Sequence, residues 1–181
     1  MAKLISKTYG DALFELAVEE NKTSLFLDEV KGLLTIIQEN KDFWQFMNHP
    51  KIPKEEKIQV VENIFKDKLD KELLGFLITI VEKDRYAEIE AILEYVIAQI
   101  KEYLSIGTAY VTTAVPLKAD EKKEVEEKLL ATTKYKTIEC SYTEDSALIG
   151  GMIIRMGDRV VDSSIRTKLE RMERELMAIQ L

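Results

Sequence analysis

From Ile5 to about residue 105, apolar positions recur every three or four residues, the spacing of one face of an α-helix. In the first run Ile5, Tyr9, Ala12, Leu13, Leu16 and Ala17 share a face, and Asp11, Glu15 and Glu19 occupy the other. A second run extends from Ser24, placed to cap it, to Gln38, with Phe26, Val30, Leu33, Leu34 and Ile37 as its stripe. A short third, Asp42 to Met47, carries Phe43, Trp44 and Phe46. It is stopped by His49-Pro50-Lys51-Ile52-Pro53, since a residue before proline is pushed out of the α region. Pro53 suits the first turn of a fourth helix bearing Ile58, Val61, Ile64 and Phe65. Asp70 is a cap for a fifth, Leu73 to Val81, apolar on nearly every side and so expected to be surrounded by protein. The sixth, with Ile89, Ile92, Leu93, Val96, Ile97 and Ile100, is expected to stop at Gly107 in a left-handed cap. Six helices with short connections predict an antiparallel bundle.

After Gly107 the period changes. Thr108 to Val115 is β-branched, short of charge and ended by Pro116, which predicts a strand. A charged helix follows from Asp120 to about Ala131, and Lys136 to Tyr142 alternates polar with apolar as a second strand. Leu148 to Met156 and Arg159 to Asp162 read as a hairpin around Gly157-Asp158, with the Gly150-Gly151 pair inside the first of its strands. The last helix starts at Asp162, Ser163 or Ser164 and carries the stripe Ile165, Leu169, Met172 and Leu176. The fold class is therefore α followed by α/β: a six-helix bundle over 1–105, then a small domain over 106–181 with about four strands and two helices.

Charge agrees with two units. Residues 1–105 hold 14 basic and 20 acidic groups, net −6, and residues 106–181 hold 12 and 13, net −1. The 181 residues total 26 Lys+Arg against 33 Asp+Glu, a balance that argues against general binding to nucleic acid, where affinity comes from cations displacing counterions. The longest apolar stretch, Phe76 to Val81, is far short of a membrane span, and the first residues have no signal-peptide core. The chain is expected to be cytoplasmic in character, with any membrane association made through a partner.

Candidate chemistry is sparse. One histidine, His49, and one cysteine, Cys140, leave no expected zinc site and no Cys/His catalytic pair. Cys140 alternates with Ile138 and Tyr142 and is expected to face the core. Gly150-Gly151 lacks the Lys-Ser/Thr of a phosphate loop, and glycine in a strand marks a bulge or a close backbone approach. Asp158, Asp162 and Arg166 would be the residues of a small cleft enzyme, but turn and cap duties account for the two carboxylates more simply. What rises above background is a surplus of apolar helix face. Either the fifth helix is simply central, or the first and fifth leave a groove for a partner's amphipathic helix.

Tyr9-Gly10-Asp11-Ala12-Leu13-Phe14-Glu15-Leu16-Ala17 resembles the opening motif of the ATP synthase delta subunit family, whose mitochondrial member is the oligomycin-sensitivity-conferring protein. Val111-Thr112-Thr113-Ala114-Val115-Pro116-Leu117, the run from Leu148 to Ile154 and the run from Gly157 to Leu169 match downstream, in the family's order. Gly10 departs from the alanine usual there, and Ser163 from a common glycine. The resemblance implies a stator subunit with no catalytic residue, no cofactor and no metal. It implies that the bundle captures the N-terminal helix of the head's alpha subunit, while the C-terminal domain engages the b subunits of the peripheral stalk. It also implies a peripheral location on the cytoplasmic face of a bacterial plasma membrane. Matched to the opening motif and the fifth helix, Tyr9, Ala12, Leu13, Leu16, Leu74, Leu77, Ile78 and Val81 are the expected groove. Gly150, Gly151, Asp158, Asp162 and Arg166 carry the C-terminal signature and are expected to determine the fold there. A generic helical adaptor outside ATP synthase is the other reading.

Overall fold

A computed structural model describes residues 2–179, with side chains from 4 to 178. The chain divides into two compact units, Met1–Lys101 and Glu102–Leu181. The first is helical: α1 (Ala2–Glu19), α2 (Thr23–Glu39), α3 (Lys41–Asn48), α4 (Lys54–Phe65), α5 (Lys71–Glu82), a 3-10 turn (Tyr86–Glu88) and α6 (Ile89–Tyr103). The helices turn most of their periodic stripes inward, although Ala12 of α1, Trp44 of α3 and Ile64 of α4 are exposed. Leu13 and Ala17 of α1 are fully buried with Phe26, Val30, Leu33 and Ile37 of α2, Val61 and Phe65 of α4, Leu73 and Ile80 of α5, and Ile92, Leu93 and Val96 of α6. Each large aliphatic side chain so placed contributes roughly 1.5–3 kcal/mol. Phe43 stands edge-on to both Phe65 and Tyr86, with ring centroids 6.2 Å apart in each pair, and so joins α3 to α4 and the 3-10 turn.

Polar contacts hold the start of α2 to the start of α5. Asp70 caps α5 by accepting from the Glu72 N–H at 3.2 Å, and its second oxygen accepts from Lys22 Nζ at 3.1 Å. Glu29 accepts the Asp70 N–H at 3.0 Å. Hydrogen bonding with Glu72 and the Lys22 ammonium hold the Asp70 carboxyl below its ordinary range. Ser24 is therefore not the cap of α2. The helix begins one residue earlier, after Lys22, whose side chain reaches across to Asp70.

The second unit contains β1 (Ile106–Thr113), α7 (Ala119–Thr132), β2 (Thr137–Glu144), a 3-10 turn (Ser146–Leu148), β3 (Met152–Met156), β4 (Arg159–Asp162) and α8 (Ile165–Ile179). The strand order is β2-β1-β3-β4. β1 pairs in parallel with β2, from Ile106 opposite Thr137 to Thr113 opposite Glu144, and antiparallel with β3, Val111 facing Ile154. β3 and β4 form the hairpin, with Gly157 at φ +55 in the first turn position. Ala109, Val111, Val125 and Leu148 are the buried apolar residues of this small core.

Two further elements differ from the sequence reading. Ser105 and not Gly107 takes the left-handed conformation after α6, at φ +56, and its carbonyl accepts the Lys136 N–H at 2.8 Å. Gly107 lies in β1, where a Cβ would stand 2.6 Å from the Tyr135 ring. Gly150-Gly151 lies outside β3: Leu148 ends a 3-10 turn, Ile149 and Gly151 both have positive φ, and the strand begins at Met152.

Gly10, the departure in the opening motif, is accounted for by α6. A Cβ at this position would run into the Tyr95 ring, whose hydroxyl donates to Asp11 at 2.8 Å. Glycine lets the two helices close over that ring. Gly10→Ala therefore destabilises the first unit even though alanine is better in a helix interior by about 1 kcal/mol. In Gly10→Ala with Tyr95→Leu the two losses are less than additive, read from chemical unfolding of the two single variants and the double.

Candidate functional site

The eight expected groove residues separate by burial. Leu13, Leu77 and Val81 are sealed in the core of the first unit and present nothing to a partner. Tyr9 and Leu16 on α1, with Leu74 and Ile78 on α5, are half-buried, and Ala12 is exposed. Phe14 and Phe76, also half-buried, stand on the same two helices. α5 is thus not enclosed all round. Leu73, Leu77, Ile80 and Val81 face inward, and the apolar remainder leaves partial faces for something else to cover.

The C-terminal signature is a clamp at the root of α8. At Gly151, φ is +75, and an added Cβ would lie 2.5 Å from the Ser163 carbonyl oxygen. At Gly150 the same atom would lie 2.6 Å from Ile165 Cδ1, while the Gly150 carbonyl accepts the Ile165 N–H at 2.9 Å. Ser163 donates its N–H and its hydroxyl to the Met152 carbonyl, at 3.0 and 2.8 Å. Ser164, completely buried, caps α8 by accepting the Thr167 N–H at 3.2 Å. Asp162 accepts from the Ser164 N–H and the Thr167 hydroxyl, each at 2.8 Å. These bonds, the Ser164 N–H first, hold its carboxyl below the ordinary carboxylate range.

The cleft-enzyme reading does not survive this geometry. Asp162 is committed to the helix start, Arg166 pairs with Glu170 at 2.9 Å on the surface of α8, and Asp158 sits in the β3–β4 turn. Cys140 is half-buried, and burial pushes its thiol above the ordinary value, away from the thiolate that a nucleophile needs. Among the described residues no group of three or more His, Cys, Asp or Glu is placed to hold a metal ion, and no helix is long and apolar enough to cross a membrane.

Beyond the clamp, α8 turns its apolar stripe to solvent. Ile165, Leu169, Met172 and Leu176 are 42%, 52%, 58% and 67% exposed, rising along the helix. A second apolar surface lies beside α7, a trough lined by Leu117, Val125, Leu129, Met152, Ile154 and Val161. Periodicity located the α8 stripe but carried no sign that it lacks a cover. The trough joins residues from three separate elements and the loop before α7, and has no local signal.

This assembly of a helical unit and a small mixed sheet, with open apolar faces in place of a reaction centre, is that of a binding protein. The family model described as ATP synthase delta (OSCP) subunit matches residues 5–176. The chain is 49% identical to the ATP synthase subunit delta of Lachnoclostridium phytofermentans over the full length of both chains. It is 34% identical to that of Clostridium beijerinckii over 98% of each. A chain in the cryo-EM structure of the Toxoplasma gondii mitochondrial ATP synthase hexamer shares the fold, with a TM-score of 0.71 at 19% identity over 95% of this chain and 97% of that one. The chain belongs to the ATP synthase delta (OSCP) subunit family. It is a non-catalytic, peripherally membrane-associated subunit of the stator of a rotary ATP synthase, between the peripheral stalk and the catalytic head.

Two expectations follow for the clamp. Gly151→Ala lowers stability by about 1–3 kcal/mol, because it meets backbone in a left-handed conformation. Gly150→Ala costs less, because the end of the Ile165 side chain can rotate away; thermal unfolding of the two variants ranks them. A carboxyl whose folded pKa is depressed stabilises above its unfolded value, about 3.9, and loses that contribution as pH falls through the folded value. Acid titration followed by NMR therefore shows the Ser164 and Thr167 amide signals moving together below about pH 4, and Asp162→Asn abolishes that step.

Proposed function

We propose that the first unit holds the amphipathic N-terminal helix of the head's alpha subunit against α1 and α5, while the second unit holds the b-type helices of the peripheral stalk. The head is thereby kept from turning with the rotor, on the cytoplasmic face of a bacterial plasma membrane. Partial burial carries the first half of this reading: Tyr9, Leu16, Leu74 and Ile78 remain half-covered on two helices whose residues Leu13, Ala17, Leu73, Leu77, Ile80 and Val81 are sealed. A helix laid along them places its i, i+3, i+4 and i+7 side chains against these four and removes apolar area from water at about 25 cal/mol per Å². Much of that gain offsets the cost of association, so the residues that are already packed and rigid matter as much as those that touch. Leu13, Leu77 and Val81 serve in that way: they set the helix positions from behind.

The exposed α8 stripe and the trough beside α7 support the second half, since a lone soluble domain has no use for two open apolar faces. Calorimetric titration of the full chain with a synthetic peptide of the head subunit's N-terminal segment tests the first half. Saturable one-to-one binding is expected, with Leu16→Asp and Ile78→Asp each weakening it about tenfold or more. A peptide that fails to bind the unaltered protein sinks the assignment of this face.

A further inference from the structure

We propose that the first unit binds a phosphate group, free or carried by a small organic molecule, in a cavity at the start of α4. Lys57, Tyr86 and the first turn of that helix hold it. The site is separate from the stator reading and stands or falls without it.

Where α3 ends, α4 begins and α5 gives way to the 3-10 turn, the chain walls a cavity of about 490 Å³. That size is within the range of small-molecule sites. Tyr86 lines it and is only 5% exposed, and its buried hydroxyl makes no hydrogen bond. Buried polar atoms without a partner are rare in folded proteins and call for a cause. Burial, and after it the Glu90 carboxylate, pushes the phenol above its ordinary value, so it keeps its proton to donate.

Lys57 lines the same cavity and is 7% exposed. It shares the inward face of α4 with Val61 and Phe65, where an apolar side chain is the rule. The nearby carboxylate of Asp84 is already taken by Lys54 at 2.7 Å, and the Lys54 ammonium also donates to the Glu82 carbonyl at 2.8 Å. Lys57 acts on Asp84 only through its field, which adds to that of Lys54 in lowering the Asp84 carboxyl. Two lysines against one aspartate leave the lining one positive charge in excess, in a chain whose net charge is −7.

The helix adds donors of its own. Pro53, which precedes α4, makes no side-chain cap bond, so the N–H groups of Lys54, Glu55 and Glu56 lack what a capping side chain supplies. Pro53 and Lys54 line the cavity with Lys57, which brings the positive end of the helix dipole to it. The side chains of Glu55 and Glu56 are exposed and outside the lining.

These donors decide the ligand. A water molecule accepts from Tyr86 but leaves the charge of Lys57 uncompensated. A carboxylate balances the charge with two oxygens and matches fewer of the donors. A phosphate group brings three acceptor oxygens and about two negative charges, enough for ammonium, phenol and helix start together. Met47, Ile52 and Val81 supply apolar wall for an attached organic group.

The test is titration of the full chain with inorganic phosphate and with phenyl phosphate, followed by amide NMR. Chloride at matched ionic strength and acetate are the controls. Saturable movement of the Lys54, Glu55 and Glu56 amide signals is expected with phosphate and with neither control. Tighter binding of phenyl phosphate assigns the site to an organic phosphate, and equal or weaker binding assigns it to the free ion. Lys57→Met and Tyr86→Phe each weaken binding about tenfold or more. Tyr86→Phe removes a buried hydroxyl that has no partner, so the unfolding temperature without phosphate is unchanged or raised. Its loss of binding is therefore not a loss of fold. Amides at the start of α4 that stay still, or that move equally with chloride or acetate, overturn the proposal. So does a folded Tyr86→Phe variant that binds phosphate as well as the unaltered protein.

Discussion

The backbone of Gly151 passes so close to the Ser163 carbonyl that no side chain fits between them, and the way α8 leaves the sheet depends on that contact. Everything at the root of the helix follows from it. The Ile165 N–H reaches the Gly150 carbonyl, Ser163 reaches Met152, and Ser164 is buried where it caps the helix. Asp162, which would be an acid–base candidate elsewhere, is used twice over in holding the same turn. A helix anchored by so many bonds at one end, and open along its apolar stripe, is positioned for a partner without being hidden from it.

In the first unit the connection between the starts of α2 and α5 is of a similar kind. Lys22, Asp70 and Glu29 link two helices far apart in sequence with short hydrogen bonds, so the partial apolar faces of the bundle stand on a rigid frame. A protein that resists torque needs surfaces that do not yield. Buried stripes supply the stiffness, and residues such as Leu16 and Ile78 are left half-covered on that frame.

The bundle was legible in the sequence because its helices are marked twice, by a period near 3.6 and by punctuation such as Pro53 and Asp70. Where only one mark was present, the reading slipped. Glycine suggested that α6 ends at Gly107, yet Ser105 takes the turn because the Lys136 N–H holds its carbonyl, and Gly107 is small for the sake of Tyr135. Leu148 to Met156 reads as one strand because it is apolar and rich in isoleucine, but Ile149 and Gly151 take positive φ before Met152, and Gly151 does so against the backbone of Ser163 and Ser164, which lie more than ten residues on. Periodicity finds an apolar face but cannot say what covers it. Leu13, Leu77 and Val81 shared stripes with Leu16 and Ile78, and only packing distinguished core from surface.

The strand order β2-β1-β3-β4 has a consequence for biosynthesis. The central strand β1 needs β2 on one side, beyond all of α7, and β3 on the other, so the sheet waits until the chain has been made past Met156. The helices of the first unit complete their contacts within the first hundred or so residues. The amino-terminal body therefore folds at the ribosome while its successor is still being translated. The subunit emerges with its helical unit finished first and its sheet last.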